Sequence, residues 1–246
     1  MQAGIQVSSF KPVLKTVDEV NNAFKKISAM GCRIIQIQWI DPSVPDEAIG
    51  EAVRAYKLDC ISTQDRYEVV TGDFEHWLRQ NAMWGSRDIC ISGIPENMRS
   101  VEGINGMIEE IKALIPKAKD NGQSVSFHCR SQEYDLFGGV SGFERIADAV
   151  PDMNVCFDMY HALRAKQNIP ALLKKYAGRI EIVHYKEENA EGSLVPAGQG
   201  IHDWKAITEV CENCGAKYAL AEQEKWTGDP FEILGAAYKY IAGITK

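Results

Sequence analysis

The chain has 246 residues, of which 45% are hydrophobic and 25% charged, and its formal net charge is −7. That size and balance suit one globular domain with a sizeable core, and the acidic surplus argues against an extended nucleic-acid footprint. No run of 18 apolar residues offers a membrane span, and the N-terminal segment lacks the basic-then-apolar order of a signal peptide.

Short apolar runs alternate with amphipathic stretches from end to end. The first strand is expected at residues 4–8 (GIQVS), followed by a helix opened by Thr16 and Asp18 and closed by Gly31. A second strand at 34–39 (IIQIQW) and a helix over 46–56 lead to a third strand at 59–63 (DCIST). A helix over 73–84 precedes the fourth strand, 88–92 (DICIS). A long helical pattern over 101–121, stopped by Gly122, precedes the fifth, 124–128 (SVSFH). A helix over 142–150 then leads to the sixth strand, 154–158 (NVCFD), and a helix over 170–176 to the seventh, 179–184 (RIEIVH). A polar loop at 187–200 (EENAEGSLVPAGQG), a helix over 203–214, an eighth strand at 218–222 (YALAE) and a helix over 231–244 complete the order.

Eight strand–helix units in sequence imply parallel pairing through right-handed crossovers. Most strands are continuous apolar runs, as expected when both faces are buried. No Gly-rich phosphate turn follows the first strand, which disfavours a doubly wound open sheet, and no composition shift marks a second domain. The expected architecture is therefore a single α/β domain over residues 1–246, a (β/α)8 TIM barrel. The 187–200 loop follows the seventh strand, so it lies at the catalytic mouth of such a barrel and is a candidate lid.

Seven cysteines are present, an odd number. Five lie in or beside apolar runs, where a free thiol packs as a small hydrophobe. Cys211 and Cys214 form a CENC pair inside an amphipathic pattern, without the second pair a zinc site needs. Unpaired thiols fit a reducing cytoplasm best.

Four second-half strands each end in a residue able to bind a metal: His128, Asp158, His184 and Glu222, at intervals of 30, 26 and 38 residues. In a barrel those strand ends converge on one mouth. Two imidazoles and two carboxylates make a mixed nitrogen and oxygen set carrying two negative charges. That set suits one divalent ion of the Mn2+, Zn2+, Co2+ or Fe2+ kind, Mn2+ first, better than Ca2+. Further candidates lie beside these ends. Arg130 and Glu133 follow His128, and His161 follows Asp158 at three residues' distance. Strand alternation puts Lys186 on the side of His184 and Glu224 on that of Glu222. Trp226 offers an apolar wall for a sugar face. The bland alternatives are that Asp158 caps the next helix or pairs with Arg164, that His161 and Lys186 are solvated loop residues, and that Trp226 packs in the core or rim.

Taken together, FHCRSQEY, CFDMYHA, RIEIVHYKE, PAGQG and ALAEQE resemble, in order and spacing, strand-end motifs of the xylose isomerase-like barrel superfamily. That superfamily includes sugar isomerases and epimerases, inosose dehydratase and endonuclease IV. The resemblance implies His128, Asp158, His184 and Glu222 as metal ligands, Lys186 as a site lysine, and Glu133, Arg130 and His161 around the substrate. Many members carry Glu where His128 stands, so the resemblance leaves His128 open as ligand or base. Gln36 stands where a Glu is frequent at the end of strand two, Gln199 replaces Glu in the GxG turn, and Arg130 replaces the second His of the YHNH pattern. The extra ligands of a trinuclear endonuclease site are not evident.

The resulting expectation is a divalent-metal-dependent isomerase or epimerase of a keto-sugar or sugar phosphate, working through an enediolate. Glu133 or Glu224 would move the proton, Lys186 and His161 would act beside it, and Arg130, Gln36 and Trp226 would bind substrate. A lyase or dehydratase acting on a keto-inositol or 3-keto-glycoside shares the first step. From a different class comes a non-catalytic sugar-binding barrel. The expected partner is a small carbohydrate, with no nucleic acid and no membrane, and homo-oligomer formation is left open.

Overall fold

The computed structural model describes residues 1–245. Eight parallel strands close into a barrel: β1 (Gln2–Gln6), β2 (Ile34–Ile37), β3 (Asp59–Arg66), β4 (Asp88–Ser92), β5 (Ser124–His128), β6 (Asn154–Asp158), β7 (Ile180–Tyr185) and β8 (Tyr218–Ala221). Each strand pairs with its neighbours in sequence, and β8 closes onto β1 from Gln2↔Tyr218 to Ile5↔Ala221. Close packing of β1 between β2 and β8 requires Gly4, because a Cβ there would sit 2.6 Å from the Ile34 carbonyl oxygen and 2.7 Å from the Leu220 side chain.

The surrounding helices are α1 (Val17–Ala29), α2 (Asp46–Ala55), α3 (Tyr67–Gly72), α4 (Phe74–Trp84), α5 (Val101–Asp120), α6 (Gly142–Ala149), α7 (Met159–Arg164), α8 (Ile169–Lys175), α9 (Trp204–Asn213) and α10 (Pro230–Ile244). Their starts follow local chemistry. Thr16, Asp73, Ser100, Ser141 and Asp203 each accept a backbone N–H of the first turn. The main core lies between the strands and this helical ring.

Several boundaries differ from the sequence expectation. β1 stops at Gln6 because its side chain accepts from the Ser8 N–H, opening a 3-10 segment over Val7–Val13. β2 stops at Ile37, and Trp39 adopts a left-handed φ of 61°, which turns the chain out of the sheet. β3 runs on to Arg66 and enters α3. A 3-10 turn (Ser131–Tyr134) and a hairpin of Leu136–Phe137 with Val140–Ser141 intervene before α6. The expected lid segment contains a second hairpin, Glu187–Glu188 with Leu194–Val195.

The lumen decides where the chemistry goes. Ile34, Ile61, Cys90, Cys156, Ile182 and Leu220, one from each of six strands, pack inside the barrel as a small apolar layer. Strand side chains alternate with period two. Two residues beyond members of that layer, on the same inner face, stand Gln36, Ser92, Asp158, His184 and Glu222. All seven cysteines are free. Among the described residues no helix is long and apolar enough to cross a membrane.

Candidate metal centre

Adjacent strand ends bring the four expected ligands into one buried cluster. Register pairing sets Asp158 opposite His184 and Leu220 opposite His184, so β6, β7 and β8 deliver their ends at one level. His128 Nδ1 shares a hydrogen bond with Ser92 Oγ at 2.9 Å, which fixes the ring and turns Nε2 toward Asp158 Oδ2, 3.3 Å away. Asp158 divides its two oxygens. Oδ1 accepts the His161 backbone N–H at 2.9 Å and caps α7. Oδ2 faces His128, His184 Nδ1 at 3.9 Å and Lys186 Nζ at 4.0 Å. The cap reading and the ligand reading of Asp158 thus describe different oxygens of one carboxylate. Arg164, its alternative partner, pairs with Glu188 at 3.0 Å instead.

One ligand atom each from His128, Asp158 and His184 lie within 4.8 Å of one another. Glu222 joins through His184, its Oε2 lying 3.0 Å from Nδ1. Yet both of these atoms are buried without a hydrogen-bond partner, because their mutual orientation does not make one. A buried ion pair ordinarily secures directed hydrogen bonds. Two orphaned donor atoms converging at this spacing fit ligands of a common cation, since metal bonds of about 2.1 Å in a tetrahedral arrangement put neighbouring ligand atoms roughly 3.4 Å apart. The residues therefore fit a divalent ion.

The charges agree with that geometry. Burial works against the Asp158 anion, but the neighbouring His161, the Lys186 charge, the bond from His128 and the nearby His184 hold its carboxyl well below the usual range. Burial likewise opposes Glu222 ionisation, and Lys186 and His184 reverse it, so this carboxyl also lies low. Burial disfavours the His184 cation, yet Glu222 and Asp158 push its imidazole up to about 10. The site thus stores positive charge as a proton where a cation could stand instead. Burial lowers His128 and brings His161 down to about 4, so both rings are neutral at neutral pH.

Lys186 and Glu224 lie directly above the cluster. Lys186 is 3% exposed, with Nζ at 2.7 Å from Glu224 Oε1 and 3.6 Å from Glu222 Oε1. Burial opposes its charge, but Glu222, Asp158 and Glu224 outweigh this and keep it an ammonium. Burial and the neighbouring Glu222 raise Glu224 to about 7. His161 is held through Nδ1 by Ser131 Oγ at 3.1 Å and has Nε2 3.9 Å from Asp158 Oδ2. These three residues, with Trp39, Tyr160 and Trp226, line a cavity of about 1050 Å³ at the C-terminal mouth. Trp226 is fixed by donating to the Ser9 carbonyl at 2.9 Å. Gln199, in the turn after the second hairpin, also lines this cavity. That turn needs its glycines: a Cβ at Gly200 would meet the Glu188 carbonyl oxygen at 2.2 Å.

Three expected residues lie elsewhere. The Glu133 carboxylate is fully buried and accepts the backbone N–H groups of Ile94 (3.0 Å) and Arg130 (2.6 Å), with Arg99 at 3.7 Å. It clamps the β4 and β5 loops together rather than facing the cavity, because the 3-10 turn redirects the chain after Arg130. Arg130 lies against Gly93 and over Glu133 at 3.6 Å, outside the cavity lining. Gln36 is fully buried beneath His184, with its amide oxygen 2.6 Å from Nε2, so it backs that imidazole rather than reaching the cavity. Sequence reading missed Ser92, Trp39 and Tyr160. Ser92 carried a signal, since it ends β4 as His128 ends β5 and the two are register partners. Trp39 and Tyr160 lie past strand ends, where no periodicity speaks.

A family model described as "Xylose isomerase-like TIM barrel" matches residues 15–228. An inosose dehydratase of Clostridium beijerinckii is 29% identical over 151 residues, covering 50% of this chain and 49% of that protein. The chain thus aligns with about half the length of that curated relative. Among solved structures, a sugar phosphate isomerase/epimerase from Parabacteroides distasonis superposes with a TM-score of 0.80 at 14% identity, covering 98% of this chain and 93% of that one. A D-allulose 3-epimerase from Methylomonas sp., in complex with D-allulose, gives 0.77 at 14% identity, with coverages of 99% and 97%. At such identities the structures speak to the fold, while the family model spans most of the chain, including all four converging strand ends. The chain belongs to the xylose isomerase-like TIM-barrel family.

Proposed function

We propose that the protein is a divalent-metal-dependent isomerase or epimerase of a small keto-sugar or sugar phosphate. The observation that carries this reading is the pair of orphaned buried atoms, His184 Nδ1 and Glu222 Oε2, converging at 3.0 Å beside Asp158. His128, Asp158, His184 and Glu222 would hold the ion. When bound, it would polarise adjacent hydroxyl and carbonyl oxygens of the substrate.

The chain's own residues supply the rest. Glu224, at the cavity wall and near neutral in acidity, takes the proton from the carbon next to the carbonyl. Lys186, a permanent ammonium among carboxylates, faces the negative charge that develops on the substrate oxygen. His161, a neutral imidazole fixed by Ser131, orients a hydroxyl. Trp39 and Trp226 exclude water from the sugar's apolar face. Returning the proton to the neighbouring carbon isomerises the sugar, and protonation of the original carbon by a second donor on the opposite face epimerises it.

The dehydratase name of the curated relative favours a second reading. After the same proton removal, a β-hydroxyl leaves as water with the proton that Glu224 has taken. The test is metal analysis joined to a screen of keto-sugars in deuterated water. Metal-dependent exchange next to the carbonyl is expected, and product mass then separates isomerisation from loss of water. A barrel that binds sugar but holds no stoichiometric metal and catalyses no exchange would contradict both readings.

A further inference from the structure

A polar thread runs through the barrel from the metal cluster toward its N-terminal end. His184 Nε2 lies 2.6 Å from Gln36 Oε1. Gln36 Nε2 donates to Ser62 Oγ at 3.1 Å, and Ser62 Oγ donates to Asp88 Oδ2 at 2.8 Å. Asp88 opens β4, and two more hydroxyls donate to it: Ser126 to Oδ2 at 2.7 Å and Ser124 to Oδ1 at 2.8 Å. None of Gln36, Ser62, Asp88 and His184 is more than 6% exposed. A carboxylate so placed costs several kcal/mol unless its bonds are made, so its presence below the apolar layer of the lumen calls for a physical account.

Donor and acceptor counting gives one. A carboxylate only accepts, so Ser62 spends its single proton on Asp88. The longer alternative, the Thr63 carbonyl at 3.2 Å, is neutral and competes poorly with the anion. Ser62 then offers Gln36 only lone pairs, and Gln36 must turn its NH2 group that way. Its carbonyl oxygen is left facing His184. Gln6 Nε2 donates to the same oxygen at 2.8 Å, while Gln6 Oε1 is taken by the Ser8 N–H, so a second chain sets the same amide orientation. An amide oxygen can only accept, so His184 Nε2 must carry a proton. Nδ1 is then the nitrogen turned toward Asp158 and Glu222.

We propose that Asp88 is a positioning residue for His184, acting through Ser62 and Gln36 to hold the imidazole with Nε2–H toward Gln36 and Nδ1 toward the metal cluster. Burial pushes Asp88 up to about 6 while the three serine hydroxyls hold it back, so the anion that orders the thread prevails at neutral pH. The proton order stands on geometry alone, whereas its consequence for metal affinity rests on the function proposed above.

The experiment is proton NMR of the metal-free, full-length protein with 15N-labelled histidine. The His184 Nε2–H is expected as a slowly exchanging signal, assigned by its loss in His184→Gln. Ser62→Ala and Asp88→Asn should each shift it, and Ser124→Ala, which touches only Oδ1, should leave it in place. In a Ser62→Ala background, Asp88→Asn should add nothing, because its route is gone. Ser62→Ala removes one hydroxyl and keeps the test usable where Asp88→Asn fails to fold. No protected signal in the wild type, no shift in Ser62→Ala, or an Asp88→Asn effect that survives Ser62→Ala would overturn the proposal. Co2+ titration is the second arm. Affinity should fall roughly 10–100-fold in Ser62→Ala, the usual scale for a lost ligand support. Unchanged Co2+ affinity in that variant would contradict the positioning role. A wild type that binds no Co2+ would sink the metal reading, while the NMR arm still decides the thread.

Discussion

Asp88 also offers a stability measurement whose size and sign follow from the structure. Burial raises its carboxyl from 3.8 to about 6, against hydrogen bonds from Ser126, Ser124 and Ser62. The folded state therefore holds this proton more tightly than the unfolded chain. Below pH 3.8 both states are protonated and the group is neutral in effect. As pH rises from 3.8 to about 6 the unfolded chain ionises first, and stability falls. Above that window the full penalty applies, about 3 kcal/mol for a shift of about two units. Asp88→Asn cannot ionise, so it escapes this penalty. Its altered bonds to the serines subtract a fixed amount at every pH. Urea unfolding of both proteins from pH 4 to pH 7 should show the variant gaining on the wild type by about 2 kcal/mol, the unfolded carboxyl being partly ionised already at pH 4, with nearly all of the gain before about pH 6.5. A stability difference that stays flat across this range, or moves toward the wild type as pH rises, would refute the argument.

Other substitutions separate the roles around the cluster. Glu224→Gln should keep the metal but slow carbon–deuterium exchange by roughly 10²–10⁴-fold, the usual contribution of a positioned base; near-normal exchange would remove Glu224 from that role. Lys186→Met should lower kcat more than it raises KM, and steady-state kinetics showing the reverse would make Lys186 a binding group. Glu133→Gln sets an amide NH2 against one of the backbone N–H groups of Ile94 and Arg130. It should cost about 1–3 kcal/mol in thermal unfolding with metal content unchanged. Exchange lost at full stability would instead return Glu133 to the proton-transfer step.

Strand ends were legible because period-two alternation carries both burial and facing. The rule that pairs Lys186 with His184 and Glu224 with Glu222 is the reason Lys186 and Glu224 meet at 2.7 Å. It holds just past the ends of β7 and β8 but fails in the turn that follows β5. Glu133 lies in a 3-10 turn, where strand alternation no longer sets direction, and its carboxylate turns inward to two backbone donors. Gln36 was on the correct inner face, but its depth depends on how adjacent strands stagger around the barrel. The β2–β3 register shift between Ile35 and Gln36 is a property of the closed sheet rather than of either strand. Trp39 leaves the sheet through a left-handed backbone that no local residue preference announces. Asp88 read as the polar first residue of an apolar run, and its three serine partners come from β3 and β5.

The most direct test of the account is the divalent metal bound per chain after loading and gel filtration, measured in the wild type and in Asp158→Ala. Asp158 Oδ2 lies within 4.0 Å of His128, His161, His184 and Lys186. The account predicts about one ion per wild-type chain and almost none in the variant, with the barrel still folded by circular dichroism. A wild type that retains no ion, or an Asp158→Ala protein that retains a full one, would contradict it.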